Sequence, residues 1–100
     1  MTDKAEADLA EIWAYVAVEV SEAAATRLVD KLYAACEPLR QFPRLGPARE
    51  QFAAGLRVCF SGNYALYYLH DDDAVTIVRV LHGSRDVAAL AQPGGLTGGA

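Results

Sequence analysis

The chain has 100 residues, 53% of them hydrophobic, two cysteines and a formal charge of −4. That size suits one compact domain burying roughly 60–65% of its unfolded surface. The acidic balance speaks against a general nucleic-acid binder, whose affinity comes from Lys and Arg neutralising phosphates. No apolar run reaches the ~18 residues of a membrane helix, and the acidic N-terminus does not read as a signal peptide, so the expected compartment is the cytoplasm.

The first half reads as helix. From Ala5 to about Val18, the residues Leu9, Ile12, Trp13 and Val16 make one apolar stripe, with Trp13 as the expected central contact. Glu6, Asp8 and Glu11 crowd the first two turns, where negative charge suits the helix dipole. Ser21 is the expected N-cap of a second helix. Its apolar positions are Ala25, Leu28, Leu32, Ala35, Cys36, Leu39 and Phe42. So short a connection makes the two an antiparallel hairpin. Pro38 is expected to interrupt the second helix near Ala34, whose carbonyl loses its donor.

Pro43, Gly46 and Pro47 mark a loop, and the second half reads as sheet. Leu56 to Phe60 alternates, Ser61-Gly62-Asn63 reads as a three-residue hairpin turn, and Tyr64 to His70 as a tyrosine-rich strand. Asp71-Asp72-Asp73 is a solvated turn rather than a metal site, because consecutive carboxylates point in different directions, and His70 is a turn residue beside it. Val75 to Leu81 is a third strand, and Arg85 to Leu90 a short helix. Residues 92–100, with four glycines and a proline, read as a disordered tail. The result is an α+β class: a helical hairpin packed on an antiparallel sheet of about three strands, in one domain over residues 1–91.

Charge is spread unevenly. Residues 1–26 carry one Lys against six acids, residues 27–60 six bases against three acids, and residues 61–100 two Arg against four Asp. A local basic face on an acidic protein follows, with Arg40, Arg44, Arg49 and Arg57 as its members. Cys36 and Cys59 have neither C-x-x-C spacing nor a nearby His, and read as buried thiols of a reducing compartment. The run Arg79-Val80-Leu81-His82-Gly83-Ser84-Arg85-Asp86 ends an apolar strand in three basic-capable side chains and an acid, more than core packing needs. Arg79 and Arg57 are expected to brace the sheet by pairing with Asp86 or Glu50. Tyr64 and Tyr68 share one face of their strand and Tyr67 the other, which favours core packing over base stacking.

Five segments stand in order: Ala5-x-x-Asp8-Leu9-x-x-Ile12-x-x-Tyr15, Phe42-Pro43-x-x-Gly46, Gly55-Leu56-Arg57, Gly62-Asn63-Tyr64 followed by Leu66-Tyr67-Tyr68, and the closing Arg79 to Asp86. Together they resemble the RelE/ParE superfamily of bacterial toxins. The likeness covers about residues 5 to 90, and its last motif is more similar to the ParE, plasmid-stabilisation branch. It implies a type II toxin that inhibits DNA gyrase by protein binding, needs no cofactor, and is neutralised by a cognate ParD-like antitoxin. No direct nucleic-acid or membrane binding is expected of the free toxin.

The RelE branch implies instead a ribosome-dependent mRNA endonuclease, here with His82, Arg79 and Arg85 in the catalytic roles. RNA cleavage by 2′-hydroxyl attack needs proton donors, proton acceptors and cations at the phosphorane. By the resemblance, Phe60 stands where that branch has Arg, and Ala88 and Ala89 where it has Tyr. The enzyme reading is therefore the lesser one, and Arg40, Arg44, Arg49, Arg57, Arg85 and Asp86 are the expected partner-binding residues. Family members also open with a β-strand, whereas only Met1 to Lys4 precede Ala5. A sheet lacking that strand is expected to leave backbone groups unpaired, which raises an inactive remnant as a third reading.

Overall fold

A computed structural model describes residues 1–83 of the chain. The short helix expected over 85–90 and the tail over 92–100 lie outside the described residues, as do Arg85, Asp86, Ala88 and Ala89. The order is α1 (Asp3–Glu19), α2 (Glu22–Gln41), β1 (Arg57–Ser61), β2 (Tyr64–His70) and β3 (Val75–His82). The strands form one antiparallel sheet in sequence order. The α+β class and the hairpin-on-sheet architecture are as the sequence implies.

Each helix begins with a side-chain cap that satisfies an otherwise orphaned backbone donor. Thr2 Oγ1 accepts from the Ala5 N–H at 3.2 Å, and Ser21 Oγ from the Ala24 N–H at 3.0 Å. Pro38 does not interrupt α2, which runs as one helix to Gln41, and the Phe42 N–H closes on the Pro38 carbonyl at 2.9 Å. With only three helical residues beyond it, the proline disturbs the last turns rather than the middle of the element. Phe42, expected on the buried stripe, is exposed because it lies past the helix end.

The main core lies between the helices and the sheet, where Ala5, Leu9, Leu32 and Leu39 meet Leu66, Tyr68, Ile77 and Val80. A second cluster fills the opposite sheet face, with Leu56, Val58, Ala65, Tyr67, Val78 and Leu81. Tyr68 and Tyr67 therefore belong to opposite faces, as the alternation predicts. Trp13 departs from expectation. It is half-buried at the rim, and its indole Nε1 donates to Thr26 Oγ1 at 3.2 Å, tying α1 to α2.

The β1–β2 hairpin is tighter than expected. Ser61 pairs with Tyr64, leaving a two-residue turn whose first residue, Gly62, has φ +57°. Gly at that position is the usual solution for a primed hairpin turn. Between β2 and β3 the register shifts, Tyr67 opposing Arg79 while Tyr68 opposes Ile77, so Val78 is the extra residue of a β-bulge.

The outer edge of β3 is not left bare, contrary to the expectation drawn from the short N-terminus. The Thr2 N–H donates to the Ile77 carbonyl at 2.9 Å, Thr2 Oγ1 donates to the Val78 carbonyl at 3.1 Å, and Asp8 Oδ2 accepts from the Val80 N–H at 2.9 Å. The start of α1 thus supplies bonds that a neighbouring strand would otherwise make.

Candidate functional site

The closing motif enters the described structure through Arg79 and His82. The Arg79 side chain turns inward onto α1, where its Nε donates to Asp8 Oδ2 at 2.7 Å and its Nη2 to Asp8 Oδ1 at 3.0 Å. Both residues are buried, Arg79 being 7% exposed. The two parallel bonds form the fork geometry that makes Arg–carboxylate pairs strong and directional. Arg79 therefore braces the sheet, as expected of it, but through Asp8 and not Glu50. The signal for Asp8 is present in the sequence: an acid three residues after Ala5 and four before Ile12 sits on the apolar face of α1, which its agreement with the helix dipole alone does not reveal. His82 is exposed at the end of β3, its ring edge-on to Tyr64 with centroids 5.5 Å apart.

The basic residues of the middle segment gather around the loop over 42–56, but they do different things. Tyr68 organises the loop's first half. Its hydroxyl donates to the Pro43 carbonyl at 2.6 Å and accepts from the Gly46 N–H at 3.0 Å. Gly46 is needed there because a Cβ would stand 2.2 Å from the Val58 carbonyl oxygen and 2.8 Å from the Tyr68 hydroxyl. Burial pushes the Tyr68 hydroxyl pKa up, against the lowering effects of the Gly46 hydrogen bond and the Arg57 charge.

Arg57 holds the same loop from β1, its Nη1 donating to the Gly46 carbonyl at 2.8 Å and the Arg44 carbonyl at 3.3 Å. It braces through backbone carbonyls, while Glu50 accepts from the Gly55 N–H at 3.0 Å instead. The Arg49 N–H bonds the Leu56 carbonyl, and its guanidinium reaches its own neighbour's Ala48 carbonyl at 2.9 Å. Arg40 is exposed and only loosely paired with Glu37, at 3.7 Å. Arg44 is exposed as well, and it is flanked by the exposed apolar side chains of Phe42 and Leu45.

Arg40 and Arg44 also border a cleft of about 660 Å³ between the end of α2 and the β2–β3 turn. Its other wall carries His70 and Asp71 to Asp73. Asp71 is committed to the turn, accepting the Asp73 and Ala74 N–H groups at 2.8 and 2.9 Å, bonds that lower its carboxyl pKa. The cations expected as one basic face thus divide into a structural strut, Arg57, a half-buried Arg49 whose guanidinium bonds its own neighbour's carbonyl, and two exposed charges, Arg40 and Arg44. Among the described residues no group of three His, Cys, Asp or Glu stands close enough to hold a metal ion, and no helix is long and apolar enough to cross a membrane.

Residues 1–87 match the profile of the family described as ParE toxin of type II toxin–antitoxin system, parDE. Toxin ParE1 of Caulobacter vibrioides is 33% identical over 89 residues, spanning 89% of this chain and 92% of that protein. A solved structure of the chromosomal ParDE TA system from P. aeruginosa aligns with TM-score 0.68 at 23% identity, over 81% of this chain and 89% of the other. At that identity the structural likeness speaks for the fold.

Proposed function

This chain belongs to the ParE toxin family of type II toxin–antitoxin systems, and we propose on that ground that it acts by binding a protein target. DNA gyrase is the target in this reading, a cognate ParD-like antitoxin neutralises the chain, and both meet it in the cytoplasm. No cofactor takes part. The observation that carries the binding reading is the commitment of Arg79 to Asp8. A buried, doubly bonded guanidinium serves the fold, whereas an endonuclease built on His82, Arg79 and Arg85 would need that cation to face phosphate.

The antitoxin's chemistry follows from the loop over 42–56. Arg40 and Arg44, with Phe42 and Leu45 beside them, present positive charge around apolar side chains on an otherwise acidic chain. An acidic segment carrying apolar anchors complements that surface. The test is a supercoiling assay with purified gyrase, together with mapping of mRNA ends after induction in cells. Inhibition of supercoiling that added antitoxin reverses is the expected result. Codon-phased mRNA cleavage with unaffected gyrase would overturn the proposal in favour of the endonuclease, and loss of both activities would point to an inactive remnant.

A further inference from the structure

We propose that Cys36 and Cys59 close to an intramolecular disulfide under peroxide stress, a redox-operated clasp between α2 and β1. The two thiols come from elements that pack directly on each other, and both lie against the same helix–sheet core cluster. Cys36 Sγ donates to the Leu32 carbonyl at 3.5 Å, and Cys59 Sγ to the Ala35 carbonyl at 3.6 Å. The Ala35 carbonyl carbon is bonded to the Cys36 nitrogen, so the Cys59 sulfur rests against the peptide unit that leads into Cys36. These contacts, and a third of 3.9 Å from Cys59 Sγ to the Phe60 carbonyl, are weak S–H···O bonds that a rotamer change gives up at little cost.

The surroundings set how the pair reacts. Burial, the neighbouring Cys59 and Glu37 raise the Cys36 thiol from an ordinary 9.0 to about 11, while burial alone raises Cys59. Tyr68 on β2 is a further titratable group near enough to feel the Cys59 charge. The thiolate is the nucleophile, so Cys59 reacts first. Its sulfur attacks a peroxide oxygen, the O–O bond breaks, and a sulfenic acid forms with release of one water (an alcohol from an alkyl hydroperoxide). The Cys36 sulfur then attacks the sulfenic sulfur, and the hydroxyl leaves as water with the remaining thiol proton. Two S–H bonds are lost, one S–S bond is made, and the peroxide is reduced by two electrons. Residues 36–59 become a closed ring that contains Arg40, Arg44, Arg49 and Arg57.

Because both thiols are held protonated, the clasp answers strong or sustained oxidation rather than the resting thiol pool. The full chain is treated with hydrogen peroxide at pH 7 and pH 9, alkylated, and examined by intact mass and by non-reducing peptide mapping. The expected product is a monomer lighter by two hydrogen atoms, with the Cys36 and Cys59 peptides linked, restored by dithiothreitol. Its rate should rise on the order of tenfold per pH unit, as thiolate attack requires. In the Cys36→Ser variant the Cys59 sulfenic acid should instead persist long enough to be trapped by dimedone. Two thiols that remain alkylatable, that proceed separately to sulfinic acid, or that link only between molecules would overturn the proposal, and the wild-type experiment decides this even if a variant folds poorly.

Discussion

Asp8 and Arg79 show how much one buried pair can organise. Asp8 receives three N–H groups, two from the guanidinium and one from Val80, so removing it takes a doubly bonded carboxylate away from a buried cation and a side-chain acceptor away from a backbone donor. Asp8→Ala should destabilise the fold by about 3–5 kcal/mol in urea unfolding. The double replacement Asp8→Leu with Arg79→Met should cost well below the sum of the single changes, because the buried carboxylate and guanidinium are removed together. A loss under 1 kcal/mol for Asp8→Ala would contradict the burial described above. Tyr68 is a second such residue. Tyr68→Phe keeps the ring in the core but leaves the Pro43 carbonyl and Gly46 N–H without their partner, an expected cost of about 1–3 kcal/mol by the same measurement.

The elements were largely legible from the residues, and the exceptions have physical causes. Apolar period, caps and turn residues locate the two helices and three strands of the described residues, since each is a local property of the chain. Ser21 was named as a cap and is one. The hairpin turn came out one residue shorter because Gly62 alone supplies the positive φ that closes it. The bulge at Val78 and the inward turn of Arg79 left no mark in the alternation of their strand, for both arise where β3 meets α1 across more than seventy residues. Arg57 braces as its place in the strand suggests, but through the Gly46 and Arg44 carbonyls and not through Glu50, because backbone acceptors leave no signature in the sequence. At this scale Thr2 is the position to test. Its hydroxyl caps α1 and donates to the Val78 carbonyl, and Thr2→Ala removes both while keeping the backbone bond to Ile77, so it should lose about 1–2 kcal/mol, more than a helix cap alone usually gives. Ser21→Ala, a cap without such tertiary bonds, should lose about 1 kcal/mol and serves as the comparison.

For the whole molecule, charge and pH give the sharpest expectations. The folded Cys36 thiol holds its proton to about 11 while the unfolded one releases it near 9.0, so stability from this group is complete below pH 9 and is lost as pH rises to about 11. Burial of the Tyr68 hydroxyl raises its pKa too and adds loss in the same direction above pH 10. Urea midpoints measured from pH 8 to 11 should therefore fall, and fall less steeply in Cys36→Ala. Reversing Arg40 and Arg44 together to Glu should weaken antitoxin binding by roughly tenfold or more at low salt, with the difference shrinking as salt rises, since exposed charges are screened. Unchanged affinity in calorimetric titration would remove those two residues from the interface.

The bonds from Thr2 and Asp8 to Ile77, Val78 and Val80 have one more consequence. A sheet that ends in open N–H and C=O groups is a template on which other chains can polymerise. Here the molecule occupies that border with its own first helix, so growth of the sheet from copy to copy is blocked along this stretch of β3. Loss of Asp8 should then appear as light scattering and fibrillar or amorphous deposits in concentrated samples, and not only as a lower unfolding midpoint.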